Sequence, residues 1–255
     1  MEKIIIKNRH NFKIVTLLEK AVQPKGLAIV LHGLGGFKEQ DHIETFARVF
    51  KEAGYTVLRY DSTHTFGESE GKYEDATATN YYEDLEDVIS WAKKQDWYIE
   101  PFVLVGHSMG GICSILYTQR HPNEVKALAP ISTVVSGKLS IEAHGADYIR
   151  EWKEKGYRED LSMSKPGVIK RLKYTEFEDR LKYDILPEAD KLNLPILLIV
   201  GEKDGSTPPE HQKLLYKALP GPKELHIIKG AYHTFREKEH LAEIKLIFKN
   251  WINKL

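Results

Sequence analysis

Apolar positions along this chain follow two spacings, and the alternation between them predicts the architecture. Unbroken apolar runs stand at Leu27–Leu31, just after Pro101 and at 195–200, and further strand-like runs interrupted by single polar residues stand at Thr56–Tyr60, Val125–Ile131 and 224–228. Short runs without polar alternation suit strands covered on both faces. Helical spacing recurs between them. Ile43, Phe46, Ala47 and Phe50 share one face of a helix expected over Asp41 to Glu52, stopped by Gly54. Leu85, Val88, Ile89 and Ala92 form the stripe of a second helix, capped by Thr79 or Asn80 and running through Lys94. Pro208 and Pro209 mark another helix start, and residues 235–255 read as a closing helix. Residues 3–6 and 13–18 are expected to open the chain as a hairpin. Strands alternating with helices predict an α/β fold, its mostly parallel sheet covered on both sides. In such sheets, sites form at the carboxyl ends of the strands.

Residues 132–188 break this rhythm. They are charged, aromatic and helix-prone, without a buried strand, and Gly156, Pro166 and Gly167 interrupt them. The chain therefore divides into a core, 1–131 with 189–255, and an insert, 132–188.

Composition narrows the function classes. The 255 residues are 42% hydrophobic and 29% charged, with 37 basic and 37 acidic side chains and a formal net charge of zero. No basic stripe stands out, so nucleic acid is not an expected partner. The single cysteine, Cys113, excludes an intrachain disulfide framework and suits a reducing compartment; its place in a helix reads as a small buried thiol. The apolar part of the N-terminus is too short for a signal peptide, and no stretch approaches the ~20 apolar residues of a membrane helix. A cytoplasmic protein without a membrane span is expected.

The chemistry concentrates at 102–111, Phe-Val-Leu-Val-Gly-His-Ser-Met-Gly-Gly. A strand ends at Gly106, Ser108 follows, and Ile112, Cys113, Ile115, Leu116 and Tyr117 continue at helical spacing. This is the G-x-S-x-G pattern of a nucleophile elbow, a strained turn in which Gly106 and Gly110 remove colliding side chains. A serine hydroxyl is a weak nucleophile and needs a base, which needs an orienting acid. In an elbow architecture the acid and then the histidine follow the serine along the chain. Among the 11 histidines, His211, His226, His233 and His240 lie far enough downstream, and His233 alone occupies a loop directly after a strand. Asp204, four residues beyond the run ending at Val200, is the first choice of acid, with Glu202 behind it. For the oxyanion, the elbow offers the N–H of Met109, and the loop His32-Gly33-Leu34-Gly35-Gly36 offers the N–H of Leu34. That loop is not G-x-G-x-x-G, so a nucleotide cradle is not expected. Nor is there H-E-x-x-H, a Cys pair or a carboxylate cluster at metal spacing, so no metal or cofactor is expected. His107 reads as a packing residue and His32 as a brace for its loop.

With these residues in order, the chain resembles the α/β-hydrolases from about residue 25 onward, the insert excepted. The resemblance is to the group of serine aminopeptidase-like hydrolases, monoacylglycerol lipases and feruloyl or cinnamoyl esterases. It rests on His32-Gly33-Leu34-Gly35-Gly36, Gly106-His107-Ser108-Met109-Gly110-Gly111, Gly201-Glu202-Lys203-Asp204 and Gly230-Ala231-Tyr232-His233. It implies a small helical cap over 132–188 and a serine hydrolase cleaving small to medium acyl or aryl esters. An aminopeptidase, a thioesterase or a noncatalytic ligand-binding protein of the same fold are the alternatives. The segment 61–69 departs from the group's pattern, with Thr65-Phe66 where Gly-His is expected. Trp152, Tyr157, Tyr174 and Tyr183 either line an acyl or aromatic pocket or pack between cap helices, the latter being favoured.

Overall fold

The computed structural model describes residues 1–162, 165 and 167–255. Its strands are β1 (Glu2–Lys7), β2 (Lys13–Glu19), β3 (Leu27–Leu31), β4 (Thr56–Tyr60), β5 (Phe102–His107), β6 (Val125–Ile131), β7 (Tyr157–Leu161), β8 (Ile169–Lys173), β9 (Ile196–Gly201) and β10 (Lys223–Ile228). Its helices are α1 (Asp41–Glu52), α2 (Ala78–Ala92), α3 (Met109–Arg120), α4 (Gly137–His144), α5 (Ala146–Lys155), α6 (Thr175–Arg180), α7 (Pro209–Ala218) and α8 (Lys238–Ile252). One eight-stranded sheet has the order β1-β2-β4-β3-β5-β6-β9-β10. Its pairings are parallel from β4 to β10, while the opening hairpin joins antiparallel through β2. This is the expected α/β-hydrolase fold.

Alternation along the strands sends side chains to two cores. Ile29, Leu31, Leu104, Leu128 and Leu198 face α2 and α3, whereas Ala28, Val30, Val103, Val105 and Ile199 face α1 and α8. Both faces are covered, which is why these strands lack polar alternation. Each fully buried aliphatic side chain contributes roughly 1.5–3 kcal/mol. The predicted faces of α1 and α2 are buried throughout.

Two boundaries move. The α2 cap is Thr77, whose hydroxyl accepts from the Asn80 N–H at 3.1 Å, so the helix begins before Thr79. The closing helix begins at Lys238, because Phe235 has φ +47° and is buried as the anchor of the preceding loop.

The segment between β6 and β9 carries α4, α5 and α6, and also the antiparallel hairpin β7–β8. A helix-prone reading misses that hairpin because its strands are largely exposed and carry charges where a buried strand carries apolar residues. Gly156 ends α5 in the left-handed conformation at φ +75°, as a glycine C-cap does. Pro166 lies outside the described residues. Among the described residues, no helix is long and apolar enough to cross a membrane.

Candidate active site

Ser108, Asp204 and His233 follow β5, β9 and β10, and the sheet brings their side chains together at its carboxyl edge. Ser108 sits at φ +54° and ψ −112° between β5 and the first turn of α3. A Cβ on Gly106 would stand 2.2 Å from the Gly110 carbonyl oxygen, and one on Gly110 would stand 2.6 Å from that of His32. Both glycines are therefore required by the close passage of strand, helix and neighbouring loop, as the elbow pattern predicts.

His233 Nε2 lies 3.0 Å from Ser108 Oγ, and its Nδ1 lies 2.8 Å from Asp204 Oδ2. An ionised carboxylate only accepts, so Nδ1 carries the proton and Nε2 is left to accept from the serine hydroxyl. Burial alone would raise the Asp204 pKa. The charge and hydrogen bond of His233, with the Thr207 N–H, overcome burial and hold the carboxyl well below the usual carboxylate range. Its Oδ1 accepts from the N–H groups of Ser206 and Thr207, both at 2.9 Å. The Thr207 hydroxyl, with one proton to give, stands 2.9 Å from the Ser132 carbonyl oxygen and 3.0 Å from Asp204 Oδ2. Glu202, the second choice of acid, instead accepts from the Gly230 N–H at 2.8 Å and fastens the base of the histidine loop.

The two neighbouring histidines act as braces. His107 Nε2 donates to the His233 carbonyl oxygen at 2.8 Å, and its ring packs edge-on against His42 at 4.5 Å. Burial and the nearby His233 charge push the His107 pKa down to about 3, so the ring is neutral. His32 donates through Nδ1 to the Gly33 carbonyl oxygen at 2.8 Å and accepts the Ser62 N–H through Nε2 at 3.0 Å. Burial lowers its pKa too. Leu34 and Met109 border the same cavity as Ser108 and His233. Met109 begins α3, where an N–H has no partner one turn back.

The departure at Thr65-Phe66 is absorbed locally. The Thr65 hydroxyl donates to the Gly36 carbonyl oxygen, while the Phe66 ring packs on Tyr73 at 4.6 Å and its carbonyl oxygen accepts from Lys165 at 2.6 Å. Cys113 is buried, and burial raises its thiol pKa far above the ordinary range.

The cavity over Ser108 has a volume of about 310 Å³. Trp152, Tyr157, Tyr174 and Tyr183 are not among its lining residues. Trp152 packs between Tyr174 and Phe177 at 5.7 and 5.6 Å and donates to the Leu172 carbonyl oxygen at 3.1 Å. The Tyr157 ring lies under the Arg171 guanidinium, and the Tyr183 hydroxyl bonds to Thr79 at 2.6 Å. Packing is thus the role of these aromatics. Charged side chains line the cavity instead: Arg158, Asp160, Lys170, Arg180 and Arg236. No sequence pattern marked them, nor Thr207, whose only local signal is an Asp three residues before a Thr.

Residues 22–155 and 150–239 match the family described as serine aminopeptidase, S33. An uncharacterised 31.7 kDa protein of Escherichia coli is 24% identical over 262 residues, covering 89% of this chain and 90% of that one. The mitochondrial palmitoyl-protein thioesterase ABHD10 of Bos taurus is 23% identical over 212 residues, covering 80% of this chain and 66% of that one. The structure of Est1E from Butyrivibrio proteoclasticus with ferulic acid bound is similar at a TM-score of 0.80 and 23% identity, covering 98% of both chains. Family match and fold agree, and the chain belongs to the serine aminopeptidase S33 family of α/β-hydrolases.

Proposed function

We propose that this hydrolase is a serine ester hydrolase acting on small to medium acyl or aryl esters. Ser108 Oγ attacks the acyl carbon while His233 Nε2 takes its proton. The N–H groups of Leu34 and Met109 hold the resulting oxyanion. His233 returns the proton to the departing alcohol, leaving an acyl-enzyme, and water repeats the sequence to free Ser108 and the acid. Asp204 orients the imidazole and stabilises its charged form. The reaction requires no metal, cofactor or nucleic acid, and the partner is a small-molecule ester. Segment 132–188 acts as the cap over the site, and the buried thiol suits a cytoplasmic setting.

The observation that carries this reading is the continuous contact from Ser108 through His233 to Asp204, at 3.0 and 2.8 Å. Ser108→Ala is expected to lower turnover of p-nitrophenyl acetate and butyrate by about 10³-fold or more. A fluorophosphonate probe should label Ser108 in the native chain. Full activity in the variant overturns the assignment, and a native chain that neither labels nor turns over esters is a ligand-binding member of the fold.

Triads do not choose the leaving group, and relatives include a thioesterase by name. The cavity helps here. An aminopeptidase must accommodate a free ammonium, yet among the described lining residues Asp160 is the one carboxylate, beside the basic Arg158, Lys170, Arg180 and Arg236. The cavity's modest volume of about 310 Å³ suits a short acyl or aryl group better than a long chain. Both features favour a compact ester, and a panel of aminoacyl-nitroanilides, thioesters and nitrophenyl esters of rising length tests the choice.

A further inference from the structure

Hairpin β7–β8 turns one face toward Ser108. Its alternate residues Arg158 and Asp160 on β7, with Lys170 on β8, border the catalytic cavity, and Asp160 and Lys170 stand opposite each other in register. Asp160 leans toward Arg158, at 3.5 Å from Nε. Arg180 is already matched, since Glu176 binds its guanidinium through Nε at 2.9 Å. Lys170 has no ion pair among the described residues. Its ammonium instead reaches the Gly35 carbonyl oxygen at 3.3 Å and lies 5.5 Å from the centre of the Phe66 ring. Gly35 adjoins Leu34, so this charge sits beside the loop assigned to the oxyanion. Arg236 enters from the loop after His233. Burial lowers the Lys170 pKa, and the charges of Arg236 and Arg158 lower it further, with Asp160 opposing them. Lys170 thus brings to the wall of an open cavity a positive charge with no ion pair among the described residues, a state that a ligand anion relieves.

We propose that Lys170, flanked by Arg158 and Arg236, is an anion subsite: the ester cleaved at Ser108 carries a carboxylate or phosphate on a part of the molecule that does not react. The inference rests on the ester-hydrolase reading and adds the substrate's charge to it. Lys170 is a specificity residue here, binding the substrate away from the reacting carbon.

The test compares esters of similar size that differ chiefly in charge, following release of the para-acetoxy acetyl group or of nitrophenol. Para-acetoxybenzoate and para-acetoxyphenyl phosphate are set against the neutral methyl para-acetoxybenzoate, and mono-nitrophenyl adipate against nitrophenyl hexanoate. Each rate is divided by that ester's alkaline hydrolysis rate. The expected result is an anionic preference in kcat/KM of about tenfold to a hundredfold in at least one pair, the size of one charge-assisted hydrogen bond. Lys170→Gln should pull that ratio toward one, and Lys170→Arg should retain most of it. The preferred arm distinguishes carboxylate from phosphate, and leaving group from acyl group. Equal use of charged and neutral esters overturns the inference and leaves the ester-hydrolase reading intact. A parallel calorimetric titration with para-hydroxybenzoate and phenyl phosphate reads the subsite without turnover. Weaker binding to Lys170→Gln supports the subsite even if no ester is cleaved, and binding of neither anion to the native chain overturns it.

Discussion

Ser108 holds a positive φ that costs a side-chain-bearing residue on the order of 1–3 kcal/mol, and the surrounding strand and helix enforce it. The same constraint aims its hydroxyl at His233, whose proton position is dictated by Asp204. Asp204→Asn removes that dictation, because an amide can donate to Nδ1 and leave the proton on Nε2, where the serine needs an acceptor. The expected outcome is a fall in kcat on p-nitrophenyl acetate of about 10⁴-fold with the circular dichroism spectrum unchanged. A loss under tenfold would contradict the orienting role. These three residues were legible because each obeys a local rule: a serine between glycines, an acid and a histidine just beyond strand-like runs. Thr207 was not, since a threonine near an aspartate is ordinary in any turn, and its value comes from the Ser132 carbonyl oxygen on a distant strand end.

The loop after β3 owes its shape to a buried ion pair. Lys38 is fully buried, its ammonium 2.7 Å from Asp61 Oδ2 and 2.7 Å from Glu68 Oε2, while the N–H groups of Lys38 and Glu68 bond the same Asp61 carboxylate. This pair joins the loop bearing Leu34 to the segment 61–69, which includes Thr65-Phe66. Lys38→Met leaves the Asp61 charge buried without its cation. Urea unfolding should show a loss of about 3–5 kcal/mol, and catalysis should suffer as the loop loosens. A midpoint unchanged from the native chain would mean that Asp61 is satisfied by backbone N–H groups alone. The sequence signalled the strands and helices around this loop through their spacing. It could not signal hairpin β7–β8, whose exposed faces need no apolar pattern, although that hairpin brings Arg158, Asp160, Leu161 and Lys170 to the cavity wall.

Acid should weaken the molecule through its buried histidines. The His107 pKa is pushed down to about 3 by burial and His233, and burial lowers those of His32 and His42 as well. The unfolded chain binds protons at these sites near pH 6.5, so their contribution to stability is complete above that value and declines as pH falls toward the folded values. Each steepens the loss by up to about 1.4 kcal/mol per pH unit. Asp204 adds its own loss from about pH 4, the ordinary aspartate value, downward toward its depressed folded value. Thermal unfolding should therefore shift to lower temperature between about pH 6.5 and 4. His42, whose buried Nε2 has no hydrogen-bond partner among the described residues, offers the control. His42→Leu should flatten that dependence, and melts of both chains across the range check it; parallel curves would assign the acid sensitivity elsewhere.

What could be read from residue order is what depends on near neighbours. Apolar spacing sets strand against helix, glycines permit the elbow, and burial on both sheet faces forces the alternation into a parallel α/β fold. The cavity's charge depends on other facts. Arg158 and Lys170 share hairpin β7–β8, but Arg236 lies far along the chain, and their charges meet over Ser108 only because that hairpin folds back over the loops after β3 and β10. Evenly mixed charges gave no hint of it, since a net charge of zero is a sum, and electrostatic recognition depends on where each charge stands.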